Sequence, residues 1–199
     1  MTYGVADVRY DAEAHRSFLP DGREVPHVTG ILGATGLSTN FEDLAGLRPR
    51  CEVAIQMAAA RGTAVHADCH AYDDDDLVWA TVDERVRPYV VAWAECRANK
   101  RFVPLARGRE RRVYSPLLNY TGILDGVFRL ADGRLALADL KTGDPESAAA
   151  HLQTAAYEAA WLVENPSLPI DERWAIWLMP GRRVPYTIIN YSARLNAWQ

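Results

Sequence analysis

Cysteine, long apolar runs and excess positive charge are what this chain has little of. Its three cysteines, Cys51, Cys69 and Cys96, form no C-x-x-C pair, and an odd number cannot all pair within one chain. A reducing cytoplasm, rather than a disulfide-rich exterior, is the expected setting. No apolar run reaches the roughly 18 residues of a membrane span, and the N-terminus has no basic-then-apolar leader pattern. The formal net charge of −4 excludes a uniformly basic nucleic-acid coat. A polyanion would need a local basic surface or bound cations. What remains is ordinary for a globular domain: 199 residues, 49% hydrophobic and 24% charged. That length suffices to bury a core within one domain.

Basic residues are concentrated in one place. Arg97, Lys100, Arg101, Arg107, Arg109, Arg111 and Arg112 fall within 97–112, the best candidate for a phosphate-facing surface; the alternative is a solvated helix end and strand edge. Glu110, the one acid in the strand expected at 109–114, either pairs with neighbouring arginines, the favoured reading, or points into a site. The acidic run Asp73 to Asp76 reads as a loop repelled into solvent, since contiguous acids do not have the alternation of a calcium loop.

Periodicity gives a coarse order. Residues 16–28 contain Pro20-Asp21-Gly22 between short apolar pieces, a hairpin signal, followed by a loop with Gly and Thr that runs to about Asn40. His27, beside Pro26, carries no chemistry on this reading. Residues 52–72 are helical, with Gly62 explained by close approach of other backbone. His66 and His70 lie four apart on one face of that helix, beside Cys69. A protease zinc helix needs glutamate directly after the first histidine; Ala67 stands there, and a structural zinc site wants more ligands than the chain offers. Residues 81–100 open with a capping box, Thr81 and Glu84, and carry a core stripe of Val82, Val86, Val90 (or Tyr89) and Trp93. Pro88 predicts a kink or a helix start near Arg87.

Two alternating segments follow, 120–130 and 135–141, joined by a turn at Asp132-Gly133. Period 2 puts Ile123, Asp125 and Val127 on one face, and Leu137, Asp139 and Lys141 on one face. An acid on an otherwise apolar face is costly to bury unless it is paired or binds metal. An Asp139–Lys141 salt bridge is the structural alternative, and it leaves Asp125 unexplained. Two carboxylates and a lysine suit a hard divalent cation that activates water, with the lysine orienting that water or offsetting charge. Asp144, Pro145 and Glu146 form a helix start, and the helix to about Glu164 carries Gln153 and Tyr157 on one face. Strands at 174–179 and 184–191 close the chain around a turn at Pro180-Gly181. The order helix, helix, three strands, helix, two strands predicts an α/β fold with a mixed sheet.

Four short patterns in this order resemble a known family. Gly62-x-x-x-His66, Gly122-Ile123-Leu124-Asp125, Asp139-Leu140-Lys141-Thr142-Gly143 and Gln153-x-x-x-Tyr157 are similar to the motifs of the PD-(D/E)XK nuclease superfamily, in particular its RecB-like exonuclease group. Val28-Thr29-Gly30-Ile31-Leu32 also resembles the start of phage-type and mitochondrial genome-maintenance exonucleases of that group. The resemblance spans about 25–190. It implies a single nuclease domain over 1–199 with an N-terminal hairpin and helical extension at about 1–50. Its core would be restriction-endonuclease-like, αβββαβ: a mixed central sheet flanked by helices.

The function so implied is a DNA exonuclease that requires Mg²⁺ or Mn²⁺ and leaves 5′-phosphates. Its setting would be recombination, repair or phage DNA processing in a bacterial or phage-infected cytoplasm, alongside recombination or replication proteins. Asp125, Asp139, His66 and the main-chain carbonyl of Leu140 would hold the metal, and Lys141 would be the catalytic lysine. Gln153 and Tyr157 would hold the DNA strand, Arg109 and Arg111 would face phosphates, and Glu110 is the candidate for an extra acid. Some relatives carry an iron–sulfur cluster on four cysteines; with three cysteines none is expected here. A binding or assembly module that no longer cleaves, and a structure-selective endonuclease, are the alternatives.

Overall fold

The computed structural model describes residues 3–11, 16–37, 49–143 and 148–192. The fold is mixed α/β. Three short strands, β1 (Arg9–Asp11), β2 (Arg16–Phe18) and β3 (Glu24–Val25), make an antiparallel sheet, with the expected hairpin at β2–β3. Helices α1 (Val28–Ala34), α2 (Pro49–Asp73) and α3 (Arg87–Lys100) follow. The main sheet holds β4 (Val103–Ser115), β5 (Tyr120–Arg129), β6 (Leu135–Lys141), β7 (Glu172–Leu178) and β8 (Tyr186–Asn190), side by side in that order. Helix α4 (Ala148–Glu164) makes the crossover that the parallel β6–β7 pair requires; the other pairs are antiparallel.

β6 is buried on both sides and organises the core. Leu135 and Leu137 face α4 and α1, in a cluster with Val28, Leu32, Tyr157 and Trp161. Ala136, Ala138 and Leu140 face α2 and α3, with Val65, Cys69, Trp93 and Phe128. On that second side Trp93, Phe102, Phe128 and Trp174 touch with ring centroids 5.0–5.8 Å apart, largely edge to face, the arrangement favoured by the ring quadrupoles. The N-terminal unit docks through the start of β5: the Thr121 amide donates to the Pro26 carbonyl at 3.0 Å.

Four local expectations are corrected. Residues 28–34 are helical, not the start of a loop, because Val28 and Leu32 share a face and bury against the α4 side; the rest of that loop, beyond residue 37, lies outside the described residues. The capping box at Thr81 and Glu84 does not form. Trp79–Thr81 is a 3₁₀ turn, Thr81 Oγ1 donates to the Val78 carbonyl, and α3 starts at Arg87 with Pro88 in its first turn. Asp73 is not solvated: it ends α2 with its side chain buried, accepting from Trp93 Nε1 at 3.1 Å and from Arg97 Nη1. Burial pushes its carboxyl up, against the pull of Arg97. Gly62 meets no backbone either; a Cβ there would find only Thr142 Oγ1 at 3.7 Å. The predicted cap at Asp144, Pro145 and Glu146 lies outside the described residues. No described helix is long and apolar enough to cross a membrane.

Candidate functional site

The hairpin β5–β6 keeps register from Arg129↔Leu135 to Gly126↔Ala138 and pairs no further. Beyond that point the strands part. Asp125 fills the opening: its Oδ2 accepts the Leu140 amide at 2.7 Å, a bond that the ladder would otherwise supply. Its Oδ1 lies 2.9 Å from His66 Nδ1. Since an ionised carboxylate only accepts, His66 donates from Nδ1 and its Nε2 is the nitrogen left for other chemistry. This pairing raises the His66 imidazole to about 9, chiefly through the charge of Asp125. Burial opposes ionisation of Asp125, but His66, Lys141 and the Leu140 amide together hold its carboxyl below the usual value.

The direction of Asp125 departs from simple alternation. Leu124 and Val127, three apart, both pack toward α4, while Ile123 is exposed, so Ile123, Asp125 and Val127 do not share a face. The departure lies beside an irregularity in the strand pair. Register shifts between Pro104 and Arg109, and Glu110, opposite Asp125 between the pairs Arg109↔Gly126 and Arg111↔Leu124, has φ of +42°. A bulge of this kind re-aims side chains.

On β6 alternation holds, and Leu137, Asp139 and Lys141 face α4. Lys141 Nζ stands 2.6 Å from Asp139 Oδ2 and donates to Gln153 Oε1 at 2.8 Å. Gln153 Nε2 donates in turn to Tyr157 Oη at 3.0 Å. Burial raises the Asp139 carboxyl, and the Asp125 charge adds to this against the pull of Lys141. Burial alone would lower the Lys141 ammonium, but Asp139 and Asp125 outweigh it and hold it above its usual value. Burial also pushes the Tyr157 phenol up, so at neutral pH it is a neutral donor. Gly122 has a definite role: a Cβ there would lie 2.4 Å from Tyr157 Cε1, so the ring packs directly on the β5 backbone.

His66, Asp125, Asp139, Lys141, Gln153 and Tyr157 thus belong to one neighbourhood, contributed by α2, β5, β6 and α4. Asp139–Lys141 is the salt bridge that stood as the structural alternative, yet Asp125 has its own separate partners. Among the described residues, no three His, Cys, Asp or Glu side chains already stand together as a metal-holding group. The donor types, two carboxylates, one imidazole and a main-chain carbonyl, are those of a hard divalent cation, but here the acids are engaged by His66 and Lys141.

Arg109 and Arg111 have partners outside this neighbourhood. Arg109 pairs with Asp74, and Arg111 Nη2 pairs with Glu164 at 3.1 Å while its guanidinium sits 5.5 Å from the Trp161 ring. Among the described residues Glu110 pairs with no arginine. Its Oε1 is 2.7 Å from His70 Nδ1, a close contact off the line of a hydrogen bond. The sequence held the signal for this contact in the i, i+4 spacing of His66 and His70, but not the strand distortion that brings Glu110 to it.

Compared with known proteins, the chain matches no protein-family model and no curated protein.

Proposed function

We propose that this chain is a divalent-metal-dependent DNA exonuclease of the PD-(D/E)XK type, RecB-like in its motifs, which hydrolyses phosphodiester bonds to leave 5′-phosphates. The observation that carries this reading is the placing of two acids at a strand opening, part-buried Asp125 beside His66 and buried Asp139 beside Lys141, with Gln153 hydrogen-bonded to that lysine and Tyr157 to Gln153. A charged cluster of this kind is expensive in a core and is kept where charge is to be handled. The order α2, α3, β4–β6, α4, β7 is compatible with the αβββαβ arrangement of that superfamily, with α3 inserted between the first helix and the sheet.

In this reading Asp125, Asp139, the Leu140 carbonyl and His66 Nε2, which must first give up its proton, would hold Mg²⁺ or Mn²⁺. The metal would supply a more acidic bound water and charge stabilisation at the phosphoryl group. Lys141, charged at neutral pH, offsets the negative charge that develops at phosphorus. Gln153 keeps its ammonium oriented, and Tyr157 fixes Gln153 from behind. Arg109 and Arg111 would reach the DNA backbone only by leaving Asp74 and Glu164. Recombination or replication proteins are the natural partners of such an enzyme.

Purified protein given end-labelled linear DNA and closed circles, with Mg²⁺, Mn²⁺ or EDTA, tests this. Digestion of linear DNA only, and only with metal, is the expected result. Cutting of closed circles would make it an endonuclease, and binding without cleavage of any form would make it a binding module.

A further inference from the structure

From the two acid–histidine contacts we infer that Glu110 and His70 are positioning residues, which set the register of α2 on the sheet and thereby aim His66 at Asp125. This rests on the proposed role of His66. Asp125 and Glu110 stand opposite each other on the neighbouring strands β5 and β4, bracketed by Arg109↔Gly126 and Arg111↔Leu124. His66 and His70 stand one turn apart on α2. Four residues of helix rise about 6 Å, and neighbouring strands are about 4.8 Å apart, so successive turns of a helix lying across the strands meet successive strands. The two contacts, His66–Asp125 at 2.9 Å and His70–Glu110 at 2.7 Å, form two rungs between the helix and the sheet. The imidazoles also meet edge to face, centroids 6.4 Å apart at 79°, so a turned His70 would no longer wall the His66 ring.

The second rung is built at a cost to the backbone. Glu110 has φ of +42°, a left-handed conformation rare for a residue with a long side chain and found inside a strand here. His70 is buried while the Glu110 carboxylate is largely exposed, so the acid comes inward to the histidine at one point only.

Glu110→Gly separates the two roles, because it relaxes the backbone while it removes the carboxylate. Metal-free wild type, Glu110→Gly and His70→Phe are compared by ¹H NMR of the downfield imidazole N–H of His66, assigned by its loss in His66→Gln. Melting temperatures and the steady-state kinetics of DNA cleavage are read alongside. The expected result is a Glu110→Gly protein that melts no lower than wild type, yet whose His66 resonance is broadened or lost. The same NMR change is expected in His70→Phe, and kcat falls at least about tenfold in both with KM unchanged. An unchanged His66 resonance in both variants overturns the inference, as does a Glu110→Gly protein that melts lower while its resonance and kcat stay at wild-type values. If wild type cleaves no DNA, the nuclease reading fails, and the NMR comparison still decides the positioning role.

Discussion

Asp125 is the residue on which most of the site's charge converges, with its two oxygens divided between a helix and a strand. Its effect on His66 has a pH signature in the metal-free protein. His66 is held at about 9 when folded, against about 6.5 when free. A raised folded value stabilises fully below the unfolded value, and that stabilisation is lost as pH rises through the folded one. Metal-free protein in EDTA should therefore lose stability between about pH 6.5 and 9. His66→Gln should flatten this part of the profile, which thermal melts across the range would measure. A wild-type profile with the same slope as His66→Gln would remove the ion pair from the account.

Glycine 122 gives a second residue-level expectation. Tyr157 is buried and tied to Gln153, so it cannot turn away from an added methyl group. Gly122→Ala should cost about 1–3 kcal/mol by overpacking and weaken the Tyr157–Gln153 link. Urea denaturation of the variant checks the first effect. Unchanged stability would mean that the ring yields more easily than its packing implies.

Among the elements, α2 has the most to explain: 25 residues, a glycine inside, and two histidines that face the sheet. Gly62 has open space toward Thr142 rather than crowded backbone. Gly62→Ala is expected to stabilise the helix by about 0.5–1 kcal/mol. A loss instead, in chemical denaturation, would show that the space beside Thr142 must stay clear. β4 offers the opposite case. Arg111 stacks on Trp161 and pairs with Glu164, which also accepts the Tyr114 amide. Arg111→Gln should lower stability by about 1–3 kcal/mol, as measured in urea, because it leaves a nearly buried carboxylate short of its charged partner. No change would free Arg111 for a role at the DNA backbone alone.

These elements differ in how far they could be read from residues alone. The β5–β6 hairpin was legible because period-2 apolarity and Asp132-Gly133 are local signals, and β6 obeys its alternation to the end. β5 does not: its alternation breaks between Leu124 and Val127, beside the register shift that β4 makes between Pro104 and Arg109. Helix α1 was hidden because Val, Thr and Gly are weak helix formers; tertiary packing of Val28 and Leu32 overrides them. Asp73 looked like one acid in a solvated run, and its burial depends on Trp93 and Arg97, some 20 and 24 positions later. Local chemistry was visible, and what depended on distant partners was not.

On the scale of the whole molecule, the two faces of one sheet bring the site together. α2 presents His66 on one side of the opening between β5 and β6, and α4 presents Gln153 and Tyr157 on the other. Both core clusters therefore bear on the geometry of this site, although neither contains the charged groups. With a net charge of −4, the proposed DNA substrate would approach through local features and bound cations, so metal dependence of binding as well as of cleavage is the global expectation.

The most direct test of the central claim is single-turnover cleavage of a linear DNA by wild type and Lys141→Ala in Mg²⁺, with the product ends identified. The account expects 5′-phosphate ends, no cleavage in EDTA, and a rate lower by about 10²-fold or more in the variant. Cleavage that persists in EDTA, or a Lys141→Ala rate equal to wild type, would contradict it.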